Sequence, residues 1–265
     1  MQIEITREIA AKVLRVVDQG LSKGVGTRRA GDVQGEMCVE AAVCYALGLP
    51  HGDDPGCVAP TLRSLKIRLN DSNWFSKEAR AKGLRRLAVA QLGSKGALDE
   101  KEFVKRLVDH AIRKSAPSAL RAAASVVKDE KHKAALCEAA NRCEKEGTRQ
   151  AALDARAIAR AAAAAAYAAA NAAAAAYAYA AANAAANAAD AAAAAYAYAA
   201  ANAAANAADA AANAAAADAY AAYAAYAAKN SARDTSLAEY SEAVVQILID
   251  MKAPGCVWLE LTEAA

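Results

Sequence analysis

A tract rich in alanine, running from Thr148 to Lys229, limits what this chain can fold into more than any other feature. Residues 172–190 read AAAAAYAYAAANAAANAAD, and residues 191–209 repeat the same letters. Neither Gly nor Pro occurs between Gly147 and Pro254, and Ala is the strongest helix former. We therefore predict helix throughout the tract, with one side packed, because an isolated helix is only marginally stable in water.

Polar side chains follow a helical spacing within each copy of the repeat. They are separated by steps of four, four and three residues, as in Tyr179, Asn183, Asn187 and Asp190. Such steps place them in one stripe on a helix. The stripes of the two copies do not align, because the remainder after one repeat is about 100°. This favours a break at 187–190 and again at 206–209, where Asn can end a helix and Asp can cap the next. A bundle of short helices is the favoured architecture, and one long rod is the alternative.

Composition and charge give no support for a nucleic-acid-binding protein, a membrane-spanning protein or a secreted protein. The formal net charge of +3 is small and gives no general argument for nucleic-acid binding. Asn or Asp recurs every few residues in the tract, which is costly in a helix that faces lipid, so we expect no membrane span. The N-terminal letters lack a basic segment followed by an apolar run, so we expect no signal peptide. We therefore expect a cytoplasmic protein, and no motif calls for a cofactor.

The remaining sequence predicts an all-α fold with a globular helical N-terminal region. Capping residues, Gly and Pro divide this region into short helices. These are Thr6–Gly20, Glu36–Leu47, Pro60–Leu69, Ser76–Leu92, Asp99–Lys114, 118–127 and 129–146.

The C-terminal letters predict a closing helix and a docked tail. Ser236–Glu239 reads as a capping box that begins the closing helix. The tail Pro254–Leu261 is too apolar to remain in water, and we expect it to dock onto the N-terminal region. The predicted domains are therefore 1–147, the repeat helices 148–230, and the closing helix and tail 231–265.

Cys38 is the strongest candidate for catalytic chemistry. It lies at the start of a predicted helix, where unpaired backbone N–H groups favour a thiolate. His51 could act as its base and Asp53 or Asp54 could orient the imidazole, as in a cysteine hydrolase. The alternative is that Cys38 is a small core residue and that 51–55 is a turn. The sequence favours this alternative, because no oxyanion motif accompanies the cysteine.

The same stretch contains candidate ligands for a metal ion. Glu36 and Glu40 lie one helical turn apart, and His51 and Asp54 follow closely. Such oxygen-rich ligands suit magnesium, calcium or manganese better than zinc. The pattern is nonspecific, and the favoured prediction is that no metal binds.

The helix that begins at Ser76 carries a basic side. Arg80, Lys82, Arg85 and Arg86 are its candidate ligand-binding residues. Arg is well suited to phosphate and carboxylate groups, so an anionic ligand or partner is one hypothesis. The alternative is an ordinary solvated helix face.

The six cysteines match no common zinc spacing and are predicted to be mainly buried thiols. Cys57 and Cys256 stand out, because each lies in the tetrapeptide Pro-Gly-Cys-Val. A disulfide between them is a further hypothesis, although it requires an oxidising compartment.

Three stretches outside the tract carry a resemblance: GEMCVEAAVCYALGLPHGDDPGCV at 35–58, RLNDSNWFSKEARAKGLRRLAVAQLGS at 68–94 and PGCVWLEL at 254–261. They resemble segments of uncharacterised bacterial and phage proteins with Ala-rich second halves. The tract itself is loosely similar to Ala-rich helical proteins labelled as immunity proteins. The second likeness implies a role in bacterial or phage conflict, and neither likeness assigns a functional residue.

These observations rank the function classes. We expect a non-enzymatic binding protein whose first region holds a protein or an anionic ligand. The first alternative is a structural protein that self-associates into filaments through its Ala-rich helices. The second alternative is a hydrolase that depends on Cys38.

Overall fold

The computed structural model describes residues 3–26, 36–168, 172–194, 202–203, 205–209 and 222–263. These residues form helices and the turns between them, and no strand occurs within these ranges. The predicted all-α class is confirmed.

The chain divides into two compact units. Unit 1 comprises Met1–Phe103 and Ala238–Ala265, and unit 2 comprises Val104–Leu237. The boundary therefore lies within the helix at Glu100–His110 and not at Gly147, where the composition changes. Helices N-terminal to Gly147 pack with the Ala-rich helices, so composition and packing divide the chain at different places.

Among its described residues, unit 1 contains four helices that lie wholly within it and a 3₁₀ segment at Pro254–Thr262. The helices are α1 Arg7–Val17, α2 Val39–Ala46, α3 Pro60–Asn70 and α4 Lys77–Ala90. α1 packs on α2 and α4, and α2 packs on α3. Fully buried aliphatic side chains fill the space between them, including Val13, Leu62, Leu65, Leu84 and Leu87.

Local capping chemistry sets two of the predicted helix starts. The Thr6 hydroxyl accepts from the Ile9 amide at 3.3 Å, and the Ser76 hydroxyl accepts from the Ala79 amide at 3.1 Å. Each satisfies one of the amides that the first turn leaves unpaired. α2 begins at Val39, three residues later than predicted.

The tail docks onto unit 1 as predicted. Its 3₁₀ segment packs on α1 and α4. Gly255 permits the close approach, because a Cβ at this position would clash with the Val89 carbonyl oxygen. Two arginines hold the far end of the tail: Arg7 pairs with Glu260 at 2.6 Å, and Arg85 Nη1 donates to the Thr262 carbonyl at 2.5 Å.

Unit 2 begins within α5, Glu100–His110, which continues through a π-helical turn at Ala111–Ser115 into α6, Ala116–Val126. The predicted interruption between Lys114 and residue 118, at Pro117, is absent from this stretch. Pro has no amide to donate to the carbonyl four residues earlier, and its ring crowds that carbonyl. The π turn accommodates this position without ending the helix, with the Ala116 amide bonded to the Ala111 carbonyl.

The Ala-rich tract folds back on itself. The helices that follow α6 are α7 Glu130–Glu146, α8 Arg149–Ala168, α9 Ala172–Ala194 and α10 Ala222–Asp250. α8 packs against α7 and α9, so a single rod is excluded. The facing sides are almost entirely Ala and are fully buried, as at Ala159, Ala163, Ala181, Ala185 and Ala188.

The polar stripe of the first repeat faces solvent. Tyr179, Asn183 and Asp190 are exposed, and Asn187 is half-buried. The predicted break at 187–190 is wrong, because α9 runs through these residues without interruption. Residues 206–209 are helical too, and the residues that follow lie outside the described ranges.

The predicted capping box at Ser236–Glu239 is also wrong, because these residues lie inside α10. A cap gains about 1 kcal/mol only where a helix start is otherwise possible. The helix here is already continuous, and its side chains at Leu237 and Tyr240 are buried.

Candidate functional site

A groove of about 890 Å³ opens on the surface of unit 1. Four stretches distant in sequence line it: Ile3–Ile5, the turn that contains Gly56, the turn that contains Gly93, and the tail from Pro254 to Trp258. Pockets for ligands typically enclose roughly 300–1,000 Å³, so the groove is large enough to hold a side-chain cluster or a short peptide segment.

Gly93 brings two of these stretches together. Its φ of +71° lies in the left-handed region, which favours glycine. A Cβ at Gly93 would lie 3.4 Å from both Ile5 Cγ1 and Pro254 Cβ. The N-terminal segment and the tail therefore meet beside this turn, at ordinary van der Waals distance from where a side chain would begin.

Both copies of the tetrapeptide Pro-Gly-Cys-Val contribute to the groove. Gly56 and Cys57 line it from one side, and Pro254 and Val257 line it from the other. Cys57 and Cys256 are free thiols, so the hypothesis of a disulfide between them is not supported. Burial raises the pKa of Cys57, and burial raises the pKa of Cys256 to about 11. Both thiols therefore remain protonated near neutral pH.

The groove presents apolar side chains and unpaired backbone to solvent. Val257 is 65% exposed, and Trp258 and Ile3 are half-buried. Within the described ranges, the backbone of Ile3–Ile5 forms no hydrogen bond. Thr6, the next residue, is extended, with φ −102° and ψ 163°. The backbone groups of Ile3–Ile5 are therefore open to hydrogen bonds from a bound segment.

The second feature of unit 1 is a buried ion pair beneath its surface. Lys66 Nζ on α3 lies 2.9 Å from Glu40 Oε1 on α2, and the two side chains are 0% and 1% exposed. Burial raises the pKa of Glu40 and lowers the pKa of Lys66, and each partner's charge opposes the other's shift. The pair lines a cavity of about 40 Å³.

A hydrogen-bonded network extends beside this pair and holds the loop after α1. The Asn70 amide donates to the Ser22 carbonyl at 2.9 Å and accepts from the Val39 amide at 3.4 Å. Arg80 donates to the Asn70 carbonyl and to the Leu21 carbonyl, both at 2.7 Å. Arg80 is buried, so it holds the backbone together, in contrast to the predicted ligand-binding role.

The structure does not assemble the predicted cysteine hydrolase. Cys38 caps α2, and its Sγ accepts from the Ala41 amide at 3.4 Å. Burial raises the pKa of Cys38, so the predicted thiolate is not favoured. Asp53 contacts Arg63 at 3.5 Å, and His51 Nε2 is buried without a hydrogen-bond partner among the residues described.

The four candidate metal ligands do not form a cluster either. Among the described residues, no group of three or more His, Cys, Asp and Glu side chains is placed to hold a metal ion. The three carboxylates pair with cations instead: Glu36 with Lys77, Glu40 with Lys66, and Asp54 with Arg63.

Most of the candidate basic residues of α4 already contact groups within unit 1. Arg85 Nε donates to Asp18 at 2.7 Å, and Arg86 Nε donates to Glu242 at 3.0 Å. These contacts fasten α4 to the end of α1 and to α10. Lys82 is exposed, and its predicted role in anion binding stays a prediction.

Lys66 and Asn70 are the site residues that the sequence analysis missed. Lys66 lies four residues after Leu62 and three before Leu69, on the buried face of α3. A lone Lys within an apolar helical stripe is a signal of a buried charge, which must be paired. Its partner Glu40 was recognised only as a candidate metal ligand.

No family model, curated protein or solved structure matches this chain. Within the described ranges, none of the helices is both long enough and apolar enough to cross a membrane. The function must therefore be argued from the site itself.

Proposed function

We propose that this chain is a non-enzymatic interaction protein whose unit 1 binds an extended segment of a partner protein. The groove carries this proposal, because it combines exposed apolar side chains with a stretch, Ile3–Ile5, whose backbone forms no hydrogen bond to the described residues. A soluble protein rarely leaves both kinds of surface in one concave site without a use for them.

An extended peptide matches the groove better than a compact ligand. Backbone groups of the peptide would pair with Ile3–Ile5, as in strand addition at an exposed edge. Alternate side chains of an extended chain point to the same side, so every second residue would enter the groove. Trp258 would supply an aromatic anchor of the kind that dominates binding energy at interfaces.

Two charged side chains in the groove would orient the bound segment. Glu4 and Lys95 line the groove and are exposed, so one carboxylate and one ammonium face the occupant. Opposite charges at defined positions favour one direction and register of a bound segment. We therefore expect the partner segment to be apolar at alternate positions and to carry charges of both signs.

The other function classes have less support. The Sγ of Cys38 accepts from the Ala41 amide at the start of α2, and burial raises the pKa of this thiol, which does not favour a hydrolase. Self-association through Ala faces would need those faces at the surface, whereas Ala159, Ala163 and Ala188 are buried within unit 2.

The proposal is tested by selecting peptides from a random displayed library on the purified chain. Selected peptides are then titrated against the wild type and Val257→Lys. Val257 is largely exposed, so this change leaves folding intact while placing a charge in the groove. We expect binding to weaken by about tenfold or more, since burial of one aliphatic side chain is worth about 1.5 kcal/mol or more.

The matched control is Phe75→Lys, because Phe75 is 59% exposed and lies outside the lining of the groove. This variant should bind the selected peptides as the wild type does. Recovery of the same peptides on Val257→Lys, or equal weakening by Phe75→Lys, contradicts the proposal.

A further inference from the structure

We propose that the cavity beside Glu40 and Lys66 is a hydration site, where bound water contacts the buried ion pair, because its volume of about 40 Å³ exceeds the ~10–15 Å³ that one water molecule requires. This inference concerns the interior of unit 1 and does not depend on the proposed function of the groove.

The volume of the cavity matches this occupancy. It measures about 40 Å³, which is too small for a metabolite or a peptide side chain of ordinary size. Its lining is polar on several sides, with Asp53, Asn70 and Asp71 beside the ion pair. A polar cavity of this size holds water, whereas an apolar cavity stays dry.

The ion pair has hydrogen-bonding capacity that its own contact does not use, and this capacity indicates bound water. Both Glu40 oxygens and Lys66 Nζ are buried, and none makes a regular hydrogen bond to another described residue. Their 2.9 Å contact satisfies the charges in part. An ammonium offers three donors and a carboxylate about four acceptor positions, so most of this capacity remains open. Water both donates and accepts, so it can bond to the ammonium and to the carboxylate in a space of this size.

The surroundings of the cavity argue against a metal ion in place of water. Lys66 on α3 pairs with Glu40 on α2, and Arg63 on α3 pairs with Asp53 at 3.5 Å. Asp71 accepts from the Gly24 amide at 2.8 Å and from the Asn70 side chain at 3.0 Å. Among the described residues, no three of these acidic side chains are placed to hold a metal ion.

Bound water explains how two charges remain buried at this point. Water molecules in contact with Nζ and the carboxylate replace part of the hydration that burial removes. They also link α2, α3 and the loop at Gly24, which all line the cavity. The site therefore joins these elements through solvent as well as through direct contacts.

The first test is a crystal structure of the full chain at a resolution that shows ordered solvent. We expect peaks within hydrogen-bonding distance of Lys66 Nζ and both Glu40 oxygens. An empty cavity, or density that fits an ion or a larger molecule, overturns the proposal. This test needs no variant, so it decides the question even if substitutions prevent folding.

The second test counts long-lived water molecules in solution by oxygen-17 magnetic relaxation dispersion. The double variant Glu40→Leu with Lys66→Met removes the polar groups, and it should lose the long-lived water bound beside them. Arg7→Met with Glu260→Leu is the matched control, because that ion pair is exposed. An unchanged count in the buried double variant, or an equal loss in the control, contradicts the proposal.

Discussion

The ion pair between Glu40 and Lys66 makes the stability of unit 1 depend on two residues together. Lys66→Met keeps the length of the side chain but leaves the Glu40 carboxylate buried without its cation. Removal of one partner from a buried pair costs about 3–5 kcal/mol. Whole domains are stable by about 5–15 kcal/mol, so the single variant should lose a large part of the stability of unit 1. Glu40→Leu should lose a comparable amount for the same reason.

The double variant Glu40→Leu with Lys66→Met should be far less destabilised than either single variant. Replacement of both charges by apolar groups removes the desolvation cost together with the attraction, and is often neutral or stabilising. We therefore expect a coupling energy of roughly 2 kcal/mol or more between the two positions.

Urea unfolding followed by tryptophan fluorescence measures this effect in the relevant unit. The chain has two tryptophans, Trp74 and Trp258, and both lie in unit 1. Arg7→Met is the matched control, since its ion pair with Glu260 is 62% and 49% exposed. Such surface pairs contribute about 0–1 kcal/mol.

The sign of the pH dependence provides a second check on Lys66→Met. Burial raises the pKa of Glu40 above its ordinary value of 4.5, and loss of the Lys66 ammonium raises it further. Above pH 4.5 the folded state then holds a proton that the unfolded state has released. Stability of the variant therefore falls as pH rises from 4.5 towards neutrality. The reasoning is refuted if Lys66→Met lowers the free energy of unfolding no more than Arg7→Met does. It is also refuted if the losses of the single variants Glu40→Leu and Lys66→Met simply add in the double variant.

Three further substitutions test the packing and the electrostatics of the two units. Gly83→Ala should destabilise unit 1 by about 1–3 kcal/mol, measured by tryptophan fluorescence, because a Cβ there would clash with the Trp74 ring. Ala188→Leu should lower the thermal midpoint of helix unfolding, measured by circular dichroism, because Ala188 is fully buried. His110→Gln should flatten the acid side of the stability profile from urea unfolding at several pH values. Burial lowers the pKa of His110 below 6.5, so the wild type loses stability as pH falls from 6.5 through the folded pKa.

Matched changes at tolerant positions serve as controls for the two packing predictions. Gly52→Ala should be nearly neutral, because Gly52 does not have a positive φ and a Cβ there would meet only the Pro50 carbonyl, at 4.0 Å. Asn183→Leu adds a similar bulk on the exposed side of α9 and should leave the midpoint almost unchanged. If a test variant and its control lose equal stability, close packing does not determine the effect of substitutions at these sites.

Local sequence rules located many helix ends correctly. Thr6 and Ser76 cap α1 and α4, and Gly147 ends α7 with a φ of +63°. Each of these ends depends on one side chain or one backbone angle, and both are properties of the residue itself. The exposed polar stripe of α9 was predictable too, because helical spacing alone places its members on one side.

The same rules failed where packing opposed a local signal. The Asn and Asp letters at 187–190 can end a helix, but α9 continues through them. Ala188 and Ala189 are buried in the contact of α9 with its neighbours, and a break would expose them. Packing of an apolar face contributes more than a cap of about 1 kcal/mol, so the longer helix is preferred.

The sequence by itself determined the helical class, the Ala-rich tract and the placement of several caps, because these follow from propensity, spacing and single residues. Only the tertiary structure decided the groove and the buried ion pair. Ile3, Gly93 and Pro254 are far apart in the chain and meet through the packing of unit 1. Glu40 and Lys66 likewise belong to different helices. Contacts between distant residues depend on how all elements pack at once, and no local pattern specifies them.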